Sequence, residues 1–112
     1  LSPDLISQAI DKLVGNAIDY HQPGSAIVIE VENDPNEAVH IKVKNKGPRI
    51  AENDMSRLFY AMESKREKND NQIHLGLGLY LVRLIAEFHE GSARVENEAD
   101  GVCFVITLPH KR

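Results

Sequence analysis

Apolar residues recur along this chain with two different periods, and the switches between them divide it into elements. In "DLISQAIDKLVGNAIDY" (4–20), Ile6, Ala9, Ile10, Leu13, Ala17 and Ile18 form the stripe of an amphipathic helix. Ser2 is placed to cap that helix, Pro3 to open it, and "HQPG" (21–24) to end it. The period then shortens to two. In "AIVIEVEN", Ile27, Ile29 and Val31 share a face; in "AVHIKVKN", Val39, Ile41, Val43 and Asn45 share one, and His40, Lys42 and Lys44 take the other. "DPNE" (34–37) between the runs predicts a turn and hence an antiparallel hairpin. "NKGPRI" breaks the alternation. A short helix is expected around Asn53–Tyr60, and the polar stretch "AMESKREKNDNQI" (61–73) reads as a mobile loop. A second long helix, Gly78–Glu90, is expected to carry Leu77, Leu81, Leu84, Ile85 and Phe88 inward. "SARVEN" and "VCFVITLP" about "ADG" predict a second hairpin, with Asp100-Gly101 as its turn signal.

This order buries its stripes most economically as an antiparallel sheet with the helices on one face. A length of 112 residues suits one domain, 1–112, with one core. The single cysteine, Cys103, lies in an apolar run, which excludes a disulfide framework or thiolate metal site and leaves a small strand residue. A net charge of −4 with well-mixed signs argues against an extended nucleic-acid surface. No apolar run is long enough to span a bilayer, and no charged-then-apolar leader opens the chain. The first residue is Leu1 and not Met, so we expect a domain cut from something larger.

Polar residues at apolar phases carry the candidate chemistry. Asn45 lies in phase with Val39, Ile41 and Val43, and Asn16 sits mid-helix between Leu13 and Ala17. A buried amide without partners costs about 1–3 kcal/mol. In "HLGLGLYLVRLIAEF" (74–88), Gly76 and Gly78 stand at the expected mouth of the second helix, although glycine costs about 1 kcal/mol relative to alanine inside one. Either they admit a ligand close to the backbone or they allow tight helix–sheet packing. With Gly47 they suggest one pocket, floored by the sheet, walled by the first helix and rimmed by a glycine turn whose amides suit an anion.

The ordered set "NAIDY" (16–20), "VKNKGPRI" (43–50), "RLFY" (57–60), "GLGL" (76–79) and "VCFVITLP" resembles the catalytic ATP-binding domain of bacterial sensor histidine kinases, within the superfamily of gyrase, MutL and heat-shock chaperones. The resemblance spans nearly the whole chain. It implies an α+β fold: a two-layer α/β sandwich of Bergerat type, with a mixed, mostly antiparallel sheet and helices packed on one face. It implies ATP and Mg²⁺ as cofactors, Asn16 as the metal ligand and Tyr20 against the nucleotide. Asn45 falls where an aspartate usually accepts from the adenine amino group, Gly47 lets the chain turn beneath the base, and Ile50 lines its pocket. Phe59 matches an aromatic before a mobile lid (61–75), in which Lys65, Arg66 and Lys68 reach phosphates. Gly76 and Gly78, with Leu77 between them, match the last two glycines of a three-glycine phosphate loop.

The resemblance also implies the activity of a protein histidine kinase. The γ-phosphate goes to a histidine on a dimerisation domain of the same protein, and a response regulator follows indirectly. It further implies a cytoplasmic domain near the C-terminal end of a sensor kinase, held at a membrane only through upstream segments, with no nucleic acid involved. An edge strand that usually precedes the first helix is missing. No side chain is assigned as catalytic, because the acceptor imidazole is already nucleophilic. His21, His40, His74, His89 and His110 lie outside any recognisable phosphoacceptor helix.

Five positions depart from the family pattern: Lys12 for asparagine, Asp19 for a basic residue, Asn45 for aspartate, Arg49 for glycine and His74 for glycine. They motivate an alternative, a degenerate module that keeps the sandwich and serves as a docking or regulatory domain. A third reading is a related serine kinase or ATPase. Lys12 stands where the ATPase members place a glutamate, which disfavours water activation by that route.

Overall fold

The computed structural model describes residues 2–48, 50–51, 59 and 70–110, with the side chains of Tyr20 and of residues 70–78 excepted. Helix α1 (Pro3–Tyr20) begins as expected: Ser2 Oγ accepts from the Leu5 N–H at 3.3 Å, and Pro3 needs no donor in the first turn. Strands β1 (Ile27–Asp34) and β2 (Ala38–Lys46) follow, joined by a turn in which the Asp34 carbonyl accepts from the Glu37 N–H at 3.0 Å. Helix α2 (Asp70–Phe88) and strands β3 (Ser92–Glu98) and β4 (Gly101–Pro109) complete the described chain. The expected helix at 53–60 lies outside the described residues, apart from Phe59 in a turn.

The sheet has the order β1-β2-β4-β3, and all of its pairings are antiparallel. The expected mixed character is thus absent among the described residues. Both helices cover one face, α1 over β2 and α2 over β3 and β4, and they pack on each other. Leu13, Leu79, Val82, Phe104, Ile106 and Leu108 fill the space between the layers. One contact ties the helices end to end. The Ser2 N–H donates to His89 Nε2 at 2.9 Å, and His89 Nδ1 donates to the Ile85 carbonyl at 2.8 Å. Since a carbonyl only accepts, His89 is the neutral Nδ1–H tautomer. No helix among the described residues is long and apolar enough to cross a membrane.

On the opposite face, Lys42 pairs with Glu32, Lys44 with Glu30 and Glu98, and Arg94 with Glu96. The Glu30 hydrogen bond holds the Lys44 amine above its ordinary range. The stems of these side chains cover Cys103 and Val105, which are buried although they point away from the helices.

Three expectations need correction. Helix α2 starts at Asp70, so residues 70–75 are helix and not lid, and Gly76 and Gly78 lie inside the helix. The cost of two glycines is small beside the packing of a long apolar helix. Second, Leu81, Leu84 and Phe88 are exposed, and the inward face is Leu79, Val82, Ile85 and Ala86. This helix carries two apolar stripes. The one containing Val82 and Ala86 has the smaller residues and lets the helix approach α1, whose facing residues are Ala9, Leu13 and Ala17. Third, Ile18, Ile29 and Val31 are 54%, 51% and 65% exposed. Strand β1 is an edge strand; the helix layer reaches its start, where Ile27 packs on the core, and leaves Ile29 and Val31 uncovered.

Candidate functional site

Asn16 lies on the inner face of α1, 7% exposed, and neither its Oδ1 nor its Nδ2 has a hydrogen-bond partner among the described residues. Asn45, on the inner face of β2, is 5% exposed. Its Nδ2 donates to the Lys46 carbonyl at 3.2 Å, which leaves Oδ1 buried and unpaired. The chemistry fixes that orientation, because a carbonyl cannot donate and the amide nitrogen must face it. Native folds rarely bury such atoms without partners. Those of Asn16 and Asn45 point to a polar ligand that completes their hydrogen bonds.

The Lys46 carbonyl also accepts from the Gln22 N–H, at 2.7 Å. That bond ties the chain leaving α1 to the end of β2. It sets Asn16, in the helix's C-terminal half, at the same end of the sandwich as Asn45. Gly47 follows with φ 155, and its N–H donates to the Asp100 carbonyl at 3.2 Å. Ile50 packs on the core, half-buried, with its backbone held by the side chain of Asn97. Phe59 is buried edge-on against Phe104, with ring centroids 6.3 Å apart, and its carbonyl accepts from Arg83 Nε at 2.7 Å.

Asn16, Asn45, Gly47 and Ile50 are thus held at one end of the two layers. Tyr20 closes α1, but its side chain lies outside the described residues, as do Arg49, Lys65, Arg66 and Lys68 altogether. Gly76, Leu77 and Gly78 form part of α2 and not a loop, so their interior amides are committed to the helix ladder. Lys12 and Asp19 are exposed on α1, and no basic residue stands in its last turn. Asn97 and Arg83 went unnoticed in the sequence. A signal existed for Asn97, which continues the inward phase of Ala93 and Val95 as a polar residue. For Arg83 the sequence shows only its i,i+4 pairing with Glu87, and its bond to the Phe59 carbonyl leaves no residue-type signal.

Among the described residues, no group of three or more His, Cys, Asp or Glu gathers to hold a metal ion.

The family model described as "Histidine kinase-, DNA gyrase B-, and HSP90-like ATPase" matches residues 2–112. The chain belongs to this family. It is 33% identical over 112 residues to the sensor histidine kinase CusS of Escherichia coli O157:H7, a match covering 97% of this chain and 23% of that protein. It is 36% identical over 106 residues to the heme sensor protein HssS of Staphylococcus haemolyticus, covering 94% of this chain and 22% of that protein. The chain therefore spans less than a quarter of either relative. Among solved structures, a nucleotide-free catalytic domain of histidine kinase ThkA superposes with a TM-score of 0.81 at 29% identity, covering 96% of this chain and 68% of that one. The mycobacterial sensor histidine kinase MprB has the same fold, with a TM-score of 0.82 at 20% identity over 97% of this chain and 74% of that one. As a histidine-kinase-type ATPase domain, the molecule is an ATP-binding module of the kind used in two-component systems.

Proposed function

We propose that this domain binds ATP with Mg²⁺ and presents the γ-phosphate to a histidine on a separate dimerisation domain of the same longer protein. A response regulator then receives the phosphoryl group from that histidine. The observation that carries the reading is the amide of Asn16 and the Oδ1 of Asn45, buried at one end of the sandwich without partners among the described residues.

Each residue has a role that its chemistry permits. Asn45 Oδ1 accepts from the exocyclic amino group of adenine; the neutral amide offers the acceptor that an aspartate would, without the charge. Gly47 and Ile50 line the space beneath the base, and Tyr20 packs on the nucleotide. Asn16 Oδ1 is a neutral oxygen ligand that suits a hard divalent cation already held by phosphates. A divalent cation held there by Asn16 would supply neutralisation of the phosphate charge. Lys65 and Arg66 contact the phosphates. Proton abstraction is not required of this chain, because the acceptor imidazole is itself the nucleophile. Catalysis is then positioning and electrostatic stabilisation of the transferred group. The reading places the domain in the cytoplasm, where ATP is supplied.

The test is a thermal-shift titration with a non-hydrolysable ATP analogue, with and without Mg²⁺. Saturation to 100 times Kd stabilises by about 2.7 kcal/mol, a shift of several degrees in a domain of this size. A flat response at millimolar nucleotide overturns the reading. One feature favours the second reading, a docking module without nucleotide: Asp19 puts a carboxylate in the last turn of α1, where a phosphate-binding cation is expected.

A further inference from the structure

Asn97 stands in the cross-strand row Ile27–Asn45–Val102–Asn97, so its side chain leaves the sheet on the same face as that of Asn45. It makes a reciprocal pair with one residue of another segment. The Ile50 N–H donates to Asn97 Oδ1 at 2.9 Å, and Asn97 Nδ2 donates to the Ile50 carbonyl at 2.8 Å. Ile50 belongs to no strand, so no ladder serves its peptide groups. The primary amide, a donor and an acceptor side by side, takes the place of a neighbouring strand residue. Gly47, nearer β2, is held by the Asp100 carbonyl. Gly47 and Ile50 are therefore each pinned to the β3–β4 hairpin, at the end of the sheet where β4 begins.

We propose that Asn97 is a positioning residue for nucleotide binding. By holding Ile50 down on the core, it fixes where Ile50 stands relative to the Oδ1 of Asn45, on the side where the base is received. The inference rests on the nucleotide-binding reading above. Asn97 itself does not touch the ligand.

The experiment uses the whole chain and its Asn97→Ala and Asn97→Asp variants, all assayed at a temperature where each is folded. ADP affinity is measured by calorimetry, and hydrogen exchange is followed at the Ile50 amide. Asn97→Ala should speed Ile50 exchange and weaken ADP binding at least ten-fold. Asn97→Asp keeps the acceptor for the Ile50 N–H and loses the donor to its carbonyl, so both readouts should fall between wild type and Asn97→Ala. If Asn97→Ala does not fold, Asn97→Asp alone decides. Faster Ile50 exchange with unchanged ADP affinity overturns the inference, because the pair would then be merely structural. Unchanged Ile50 exchange overturns it as well. Wild-type protein that binds no ADP, while Ile50 exchange still responds to Asn97→Ala, sinks the nucleotide reading and this inference with it.

Discussion

Any side chain on Gly101 would collide with the backbone carbonyl of Asn45. The two residues lie on adjacent strands one step out of register, since Gly101 pairs with Lys46 and Asn45 with Val102. The missing side chain lets β2 and β4 close at the end of the sheet that carries the candidate site.

Gly101→Ala is accordingly expected to destabilise the domain by about 1–3 kcal/mol, the range for forcing atoms into a filled space. Urea unfolding measures it. A variant as stable as wild type would show that the strand ends part freely.

Asn16 leads to an opposed pair of effects. Its buried amide has no partner among the described residues, so Asn16→Leu, of the same branched shape, removes an unsatisfied group. Folding stability without ligand should rise by about 1 kcal/mol. The Mg²⁺-dependent part of the nucleotide-induced thermal shift should vanish. Mg²⁺ dependence that survives in this variant rules out Asn16 as the metal ligand.

Asp19 is exposed near the end of α1. Asp19→Lys exchanges a repulsion for an attraction toward a polyanion, worth about 1 kcal/mol per charge contact in water. ATP-analogue affinity should rise about five-fold or more at low salt, with the gain shrinking as ionic strength increases. Weaker binding would mean that the carboxylate serves the ligand directly.

The two stripes of α2 should separate in mutational cost. Leu79 is fully buried and Leu84 is 40% exposed. Leu79→Ala should cost about 2–5 kcal/mol, and Leu84→Ala less than about 1 kcal/mol. Equal costs would mean that the second stripe is covered in solution.

Burial pushes the Cys103 thiol up from 9.0 to about 11, with the nearby Glu98 and Glu96 carboxylates adding to the rise. The unfolded chain loses this proton first as pH rises, so unfolding is favoured. Below pH 9 the contribution to stability is fully present; it is lost progressively between pH 9 and about 11. Unfolding midpoints measured across that window should fall more steeply in wild type than in Cys103→Val. Parallel curves would place the thiol in contact with water.

Local signals were enough to define the hairpins, the Ser2 cap and the inward phase of Asn45, because each depends on neighbouring residues and on a fixed period of two or 3.6. The ordered motifs also made the family legible, since they name residue types at spacings that a sandwich of this kind brings together. Periodicity could not choose between the two apolar stripes of α2, because either satisfies a helical period; only the small facing residues of α1 decided it. Nor could it show that Ile29 and Val31 lie open, because alternation gives a face but not what covers it. The start of α2, the Lys46 carbonyl shared by Gln22 and Asn45, and the clasp of Asn97 on Ile50 all depend on groups distant in sequence. Backbone partners of that kind leave no residue-type signature, and so tertiary structure alone determined how the candidate site is held.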